Sequence, residues 1–203
     1  MTRRMTYPGA VIGIQARGLD GREPPHATVE AMAVEYLRAV KARQADGPYY
    51  LCGYSFGGLV AFEMARRLRE SGDEVALVGL FDTMMSPLRR PLRSWLSIMR
   101  KIGRRAGLEE RRGVLKFAPT SVLKVGACAL IAAVRYRPGF YPGELTLFSP
   151  VGREPGLPSL QAIWRKHARA LSIVETAGAH STMFSSPNAE SAAASLTRCL
   201  PVC

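Results

Sequence analysis

Ser55 stands in Gly53-Tyr54-Ser55-Phe56-Gly57, extended by Gly58, between an apolar run and a stretch with helical spacing. A serine on a strand-to-helix elbow projects its hydroxyl from the sheet edge, where an acyl carbon can reach it. Small flanking residues let such a turn close. The helix that follows offers backbone N–H groups and the positive end of its dipole. The Phe56 N–H is the expected donor to an oxyanion on the attacked carbonyl. The pattern points to nucleophilic acyl transfer through Ser55. A glycine- and serine-rich turn without chemistry is the plainer alternative, and the strand before and helix after weigh against it.

A serine hydroxyl is a poor nucleophile until a base takes its proton. The chain has three histidines, His26, His167 and His180. His26 follows Pro24-Pro25 in a loop, and His167 is expected mid-helix among Arg165, Lys166 and Arg169. His180 follows an apolar strand through Ala177-Gly178-Ala179, so it emerges at a strand's C-terminal edge, on the side of Ser55. A carboxylate must orient that base and stabilise its charged form. Asp82 directly follows the run Val78-Gly79-Leu80-Phe81, while Glu154, in a proline- and glycine-rich loop, is its rival. The expected set is Ser55, Asp82 and His180 in the order Ser…Asp…His, with Phe56 at the oxyanion.

The elements that must hold these residues can be read from periodicity. Val11 to Ile14 reads as a short strand. Thr28 is an expected N-cap, followed by Val29, Met32, Ala33, Tyr36, Leu37 and Val40 on one apolar helical face. Tyr49–Cys52, Glu74–Phe81, Leu145–Phe148 and Leu171–Val174 read as strands. Helices are expected from Ser55 to about Glu70, around Trp164, and from an Asn188 cap to near Pro201. Alternating strands and helices predict an α/β fold, a mostly parallel sheet with helices on both faces.

Composition narrows the class. At 203 residues, 47% hydrophobic and 22% charged, the chain is expected to form one globular domain, neither disordered nor collagen-like. Cys52, Cys128, Cys199 and Cys203 show no CxxC pairing and no metal spacing. With no signal-like opening, a reducing, cytoplasmic setting is expected. The apolar run Val125 to Val134 is too short to span a bilayer.

The net charge of +12 is concentrated between Met84 and Arg137, where thirteen Lys and Arg face Glu109 and Glu110. Solvated helix faces would explain this segment, and so would docking of an acidic partner. Nucleic acid is not expected, because aromatic residues do not interleave with the basic ones.

From Gly13 through Gly21, and again in Gly47-Pro48-Tyr49-Tyr50-Leu51-Cys52-Gly53-Tyr54-Ser55-Phe56-Gly57-Gly58, the chain resembles the thioesterase domains of non-ribosomal peptide synthetases and polyketide synthases. Phe62-Glu63-Met64-Ala65, Leu80-Phe81-Asp82-Thr83, Tyr141-Pro142-Gly143 and Trp164 are similar to that family too. The resemblance implies an α/β-hydrolase fold in which Ser55, Asp82 and His180 match the nucleophile, acid and base. Residues 84–140 would be a basic helical lid inserted in a single domain spanning residues 1–203.

The implied substrate is an acyl, peptidyl or polyketide chain on the phosphopantetheine thiol of a carrier protein, with no cofactor of the enzyme's own. The carrier would dock on the basic segment 84–137. Release would be by water or an internal nucleophile. The family's first strand and glycine-rich oxyanion loop lie upstream of the Gly13 region, so this chain is expected to lack both. Phe56 would then be the oxyanion donor that remains. Two other readings stand beside this one: a weakened remnant that at most binds carrier proteins, and an esterase or lipase acting on small esters.

Overall fold

The structure, a computed structural model, describes residues 5–85 and 119–201. Thr28 opens the first helix, α1 (Val29–Lys41), its side chain accepting a hydrogen bond from the Ala31 N–H at 3.2 Å. Glu30 in the first turn and Arg38 and Lys41 in the last suit the helix dipole. Strand β1 (Tyr49–Tyr54) leads through Ser55 into α2 (Phe56–Glu70), and β2 (Val75–Phe81) follows. Beyond the undescribed stretch come α3 (Thr120–Arg135), β3 (Tyr141–Pro150), the short α4 (Leu160–Trp164), β4 (Ala168–Thr176) and α5 (Asn188–Thr197).

The four strands form one parallel sheet in the order β1-β2-β3-β4. Parallel neighbours need crossovers, and helices supply them, which is why the apolar strands are covered. One face carries the larger core, where Leu59, Phe62 and Leu68 of α2 meet Leu145, Leu147 and Trp164, with Val29 and Ala33 of α1 behind them. Phe62 packs against Trp164 with ring centroids 4.9 Å apart. α3 joins this layer through Ala132, Ala133 and Tyr136. On the other face, Leu77, Phe81 and Phe148 meet Met183 and α5 residues Ala192 and Leu196. The doubly covered parallel sheet predicted from the sequence is the one found.

Four local expectations are corrected. Val11 to Ile14 is not a strand; Val11 and Ile12 are 49% and 60% exposed, and no strand pairs with the segment among the described residues. Its apolar types fit a strand, but without a ladder partner its backbone groups have no reason to adopt one. His167 lies in the turn after α4, because its carbonyl already accepts from the Tyr141 N–H at 2.8 Å as β4 begins. Asn188 is the first residue of α5 and not its cap; its Nδ2 donates to the Thr182 carbonyl at 3.3 Å. Tyr141-Pro142-Gly143 lies inside β3, at an irregularity in its register with β4, and not before the strand.

No described helix is long and apolar enough to cross a membrane. Of the basic segment, residues 86–118, including Arg89, Arg90 and Arg93, lie outside the described residues.

Candidate active site

Both Ser55 and Asp82 are the first residue beyond a strand, and both have a backbone conformation that side chains rarely adopt. Ser55 has φ 54° and Asp82 φ 39°. Such positions typically cost about 1–3 kcal/mol and persist only where the surroundings impose them. Here the sheet imposes them. The Ser55 N–H donates to the Phe81 carbonyl at 2.9 Å, and the Asp82 N–H donates to the Phe148 carbonyl at 2.9 Å. Each bond prolongs the ladder one residue past its strand and fixes the turn that follows.

The elbow at Ser55 depends on two glycines. A Cβ on Gly53 would come within 2.2 Å of the Gly57 carbonyl oxygen, and one on Gly58 within 1.9 Å of Thr83 Oγ1. The second contact lets the N-terminus of α2 close on the end of β2. Gly57 has nothing within 4 Å of a notional Cβ, so the turn does not require glycine there.

His180 sits four residues beyond β4, in a loop tied to its surroundings from three directions. The Gly152 N–H donates to the Gly178 carbonyl at 2.8 Å, the Ala177 N–H to Ser191 Oγ at 3.1 Å, and the Ala179 N–H to Thr182 Oγ1 at 2.9 Å. The imidazole is thereby held between the two polar residues. Its Nε2 lies 3.2 Å from Ser55 Oγ, and its Nδ1 lies 2.6 Å from Asp82 Oδ2. Ser55, Asp82 and His180 are thus brought together at the C-terminal ends of β1, β2 and β4, the edge where ligands bind in open parallel sheets.

The other histidines are engaged elsewhere. His26 Nε2 lies 2.7 Å from Glu35 Oε2 on α1, and His167 Nδ1 lies 3.4 Å from the Gly139 carbonyl. The hydrogen bond from His26, with Arg17 beside it, holds the Glu35 carboxyl below its ordinary range. Glu154 is exposed in the β3–α4 loop, and the carboxylate on His180 Nδ1 is that of Asp82.

Phe56 is the first residue of α2, so its N–H is among those with no intrahelical acceptor and points out of the helix end beside Ser55. Among the described residues no cluster of His, Cys, Asp or Glu could hold a metal ion.

Three contacts at this site have no sequence signal of their own. Arg153, from the β3–α4 loop, reaches Asp82 Oδ1 with its Nε at 3.2 Å. Tyr54 touches His180. Trp164 Nε1 donates to the Thr83 carbonyl at 2.9 Å, securing the residue after Asp82. The nearest hint was a charged pair, Arg153-Glu154, just beyond a strand, where either member could have faced the site.

A parallel sheet with a serine elbow after β1 and its partners at the ends of β2 and β4 is the arrangement of an α/β-hydrolase fold. Residues 2–96 match the family model of the thioesterase domain. Over that region, just under half of the chain, it is similar to the thioesterase-domain family. It is similar to a nonribosomal peptide synthetase, pngA, of Aspergillus terreus, at 36% identity over 111 residues, which are 54% of this chain. The match spans 12% of that synthetase's length. Among solved structures it is similar to the thioesterase domain NocB, in covalent complex with a fluorophosphonate nocardicin G analog. That likeness has 26% identity and a TM-score of 0.68, and covers 89% of this chain and 78% of the other. The thioesterase RedJ of Streptomyces coelicolor shares the fold, with a TM-score of 0.70 at 24% identity over 94% of this chain and 79% of that one.

Proposed function

We propose that the protein is a chain-releasing thioesterase that works through an acyl-enzyme on Ser55. The observation that carries this reading is the line Ser55 Oγ, His180, Asp82, with separations of 3.2 Å and 2.6 Å. His180 Nε2 takes the Ser55 proton as Oγ attacks the thioester carbon. The developing oxyanion is met by the Phe56 N–H, and the C–S bond breaks as His180 returns the proton to the departing thiolate. Water, or a nucleophile within the acyl chain, then gives its proton to His180 and attacks the Ser55 ester. The bond from the acyl carbon to Oγ then breaks as His180 passes that proton to Oγ, and Ser55 is restored as the free acid or cyclic product leaves. Asp82 holds the Nδ1–H and stabilises the imidazolium at each stage.

The synthetase relatives support a carrier-bound acyl or peptidyl substrate, presented on phosphopantetheine. The positive charge between Met84 and Arg137 supports an acidic carrier as the docking partner. No step calls on a cofactor of the enzyme's own. The free thiols of Cys52, Cys128 and Cys199 suit a reducing, cytoplasmic setting.

The reading is tested with a fluorophosphonate probe and an acyl thioester. Wild-type protein is expected to be labelled, and Ser55→Ala to be blank. Asp82→Asn should lower thioester turnover by orders of magnitude, up to about 10⁴-fold, while Glu154→Gln leaves it nearly unchanged. An unlabelled wild type, or labelling that survives Ser55→Ala, overturns the assignment. Turnover of small esters in preference to thioesters would turn the reading toward an esterase.

A further inference from the structure

The carboxylate of Asp82 is 1% exposed and meets two side chains, one of them a permanent cation. Oδ2 faces His180, and Oδ1 accepts from Arg153 Nε at 3.2 Å. The guanidinium is itself fixed: Nη1 donates to the Pro158 carbonyl at 2.9 Å, Nη2 lies 3.3 Å from Met84 Sδ, and the side chain is 16% exposed. Arg153 sits three residues beyond β3, so three consecutive strands, β2, β3 and β4, each send one charged or titratable group to this point.

From these contacts we propose that Arg153 is a positioning residue for the triad, holding the Asp82 carboxylate ionised and turned so that Oδ2 is presented to His180. The proposal rests on the Ser55–His180–Asp82 reading given above. A carboxylate taken out of water favours its neutral form unless an opposite charge compensates it. His180 provides that charge only after it has taken a proton from Ser55. Arg153 supplies an opposite charge that is present before each turnover as well. A neutral Asp82 would offer His180 an O–H or a weak acceptor, and the imidazole could then settle in the tautomer that cannot accept from Ser55.

The geometry also sorts the two oxygens. The planar guanidinium, anchored to Pro158, occupies Oδ1 and leaves Oδ2 for the ring. Keeping Asp82 ionised in this way extends activity toward lower pH. The elbow also meets the pair, with Ser55 on Nε2 and Tyr54 on the ring face.

The experiment compares wild type, Arg153→Met, Arg153→Gln and Arg153→Lys in the rate of fluorophosphonate labelling of Ser55 across the acid limb of its pH profile. Thermal midpoints are recorded in parallel. Both neutral variants are expected to move the limb to higher pH by about one unit or more, a loss of roughly tenfold per unit at a fixed acid pH. Arg153→Lys should keep the limb near its wild-type position even if the rate falls. A limb that stays in place in the neutral variants, with any rate loss tracking the thermal midpoint, overturns the proposal and leaves the Ser55 reading standing. A wild type unlabelled at every pH removes the Ser55 reading, and this proposal with it.

Discussion

The Tyr54 hydroxyl donates to the backbone carbonyl of His180, and the Tyr54 ring stacks on the imidazole with centroids 4.9 Å apart and planes 29° apart. Phe184 closes on the same tyrosine edge-on, at 4.9 Å. The residue before Ser55 thus grips His180, whose ring lies beside the Ser55 hydroxyl. Ser55 and His180 are fixed to each other through one side chain, 126 positions from its hydrogen-bond acceptor.

This clamp separates into two parts that can be removed in turn. Tyr54→Phe deletes the hydrogen bond, worth about 1 kcal/mol, and keeps the stacked ring. Tyr54→Leu deletes both, and aromatic pairs add about 0.5–1.5 kcal/mol beyond their buried area. Labelling of Ser55 should slow in the order Tyr54, Phe, Leu, with the leucine variant the slowest. Equal rates in the three proteins would show that the loop bonds to Ser191 and Thr182 suffice to hold His180.

A second buried charge fixes the far side of α2. Glu63 is 1% exposed, and its carboxylate accepts from Arg66 Nε and Nη2 at 3.0 Å each, from Arg67 Nε at 2.7 Å and from the Tyr136 hydroxyl at 2.9 Å. Burial by itself would raise the Glu63 carboxyl, but the bonds from Arg66, Tyr136 and Arg67 outweigh it and hold the group below its ordinary range. Burial, with the Glu63 charge adding to it, pushes the Tyr136 phenol well up, so it donates throughout. Because Tyr136 caps α3, the cluster ties the end of that helix to α2.

Glu63→Gln is therefore expected to destabilise by about 3 kcal/mol near neutrality, or roughly 6–12 °C in thermal midpoint. The pH dependence has a definite sign. A carboxyl lowered on folding contributes fully above its unfolded value, about 4.3, and loses that contribution as pH falls through the folded value. The gap between wild type and variant should narrow below about pH 4. Differential scanning fluorimetry at neutral and acid pH reads this directly, and a constant gap would exclude Glu63 ionisation as its source.

The charge of the basic segment makes a prediction of its own. If the thirteen cations between Met84 and Arg137 dock an acidic carrier, affinity should fall as salt rises. Exposed charges are screened beyond about 8 Å at physiological ionic strength. Replacing Arg89, Arg90 and Arg93 with Ala should slow association more than dissociation. Surface plasmon resonance with a loaded carrier protein measures both, and salt-independent binding would return the segment to solvated helix faces.

What was legible in the sequence was local. The strands β1 to β4 are short apolar runs bounded by turn residues, and Ser55 and Asp82 each sit one residue past such a run, where adjacency alone marks them. His180 could be singled out because it is the one histidine after a strand. Contacts between distant loops leave no such mark. Arg153 meets Asp82 across 71 residues, and nothing in the order Gly152-Arg153-Glu154 says which charge turns inward. Val11 to Ile14 misled for the opposite reason: the residue types fit a strand, but composition does not say whether a partner exists. His167 misled because the β4 ladder, starting one residue later, ended the helical stretch early.

The elbow glycines give the sharpest division between motif and physics. In Gly53-Tyr54-Ser55-Phe56-Gly57 the two flanking glycines look equivalent, yet their surroundings differ. A Cβ on Gly53 would meet backbone, the Gly57 carbonyl oxygen at 2.2 Å and the Gly58 nitrogen at 2.5 Å, and neither can move without opening the first turn of α2. Overpacking of this kind costs about 1–3 kcal/mol or more, and it would shift Ser55 itself. Gly57 is exposed in the first turn of α2, with nothing within 4 Å of a notional Cβ. There, alanine replaces a residue about 1 kcal/mol poorer in helix propensity. Gly57→Ala should therefore hold or raise the thermal midpoint and keep Ser55 reactive to the fluorophosphonate probe. Gly53→Ala should lower the midpoint and abolish labelling. Similar losses from both substitutions would mean that Gly57 is needed for a backbone shape or substrate path that its open surroundings do not reveal, and the steric account of the elbow would fail.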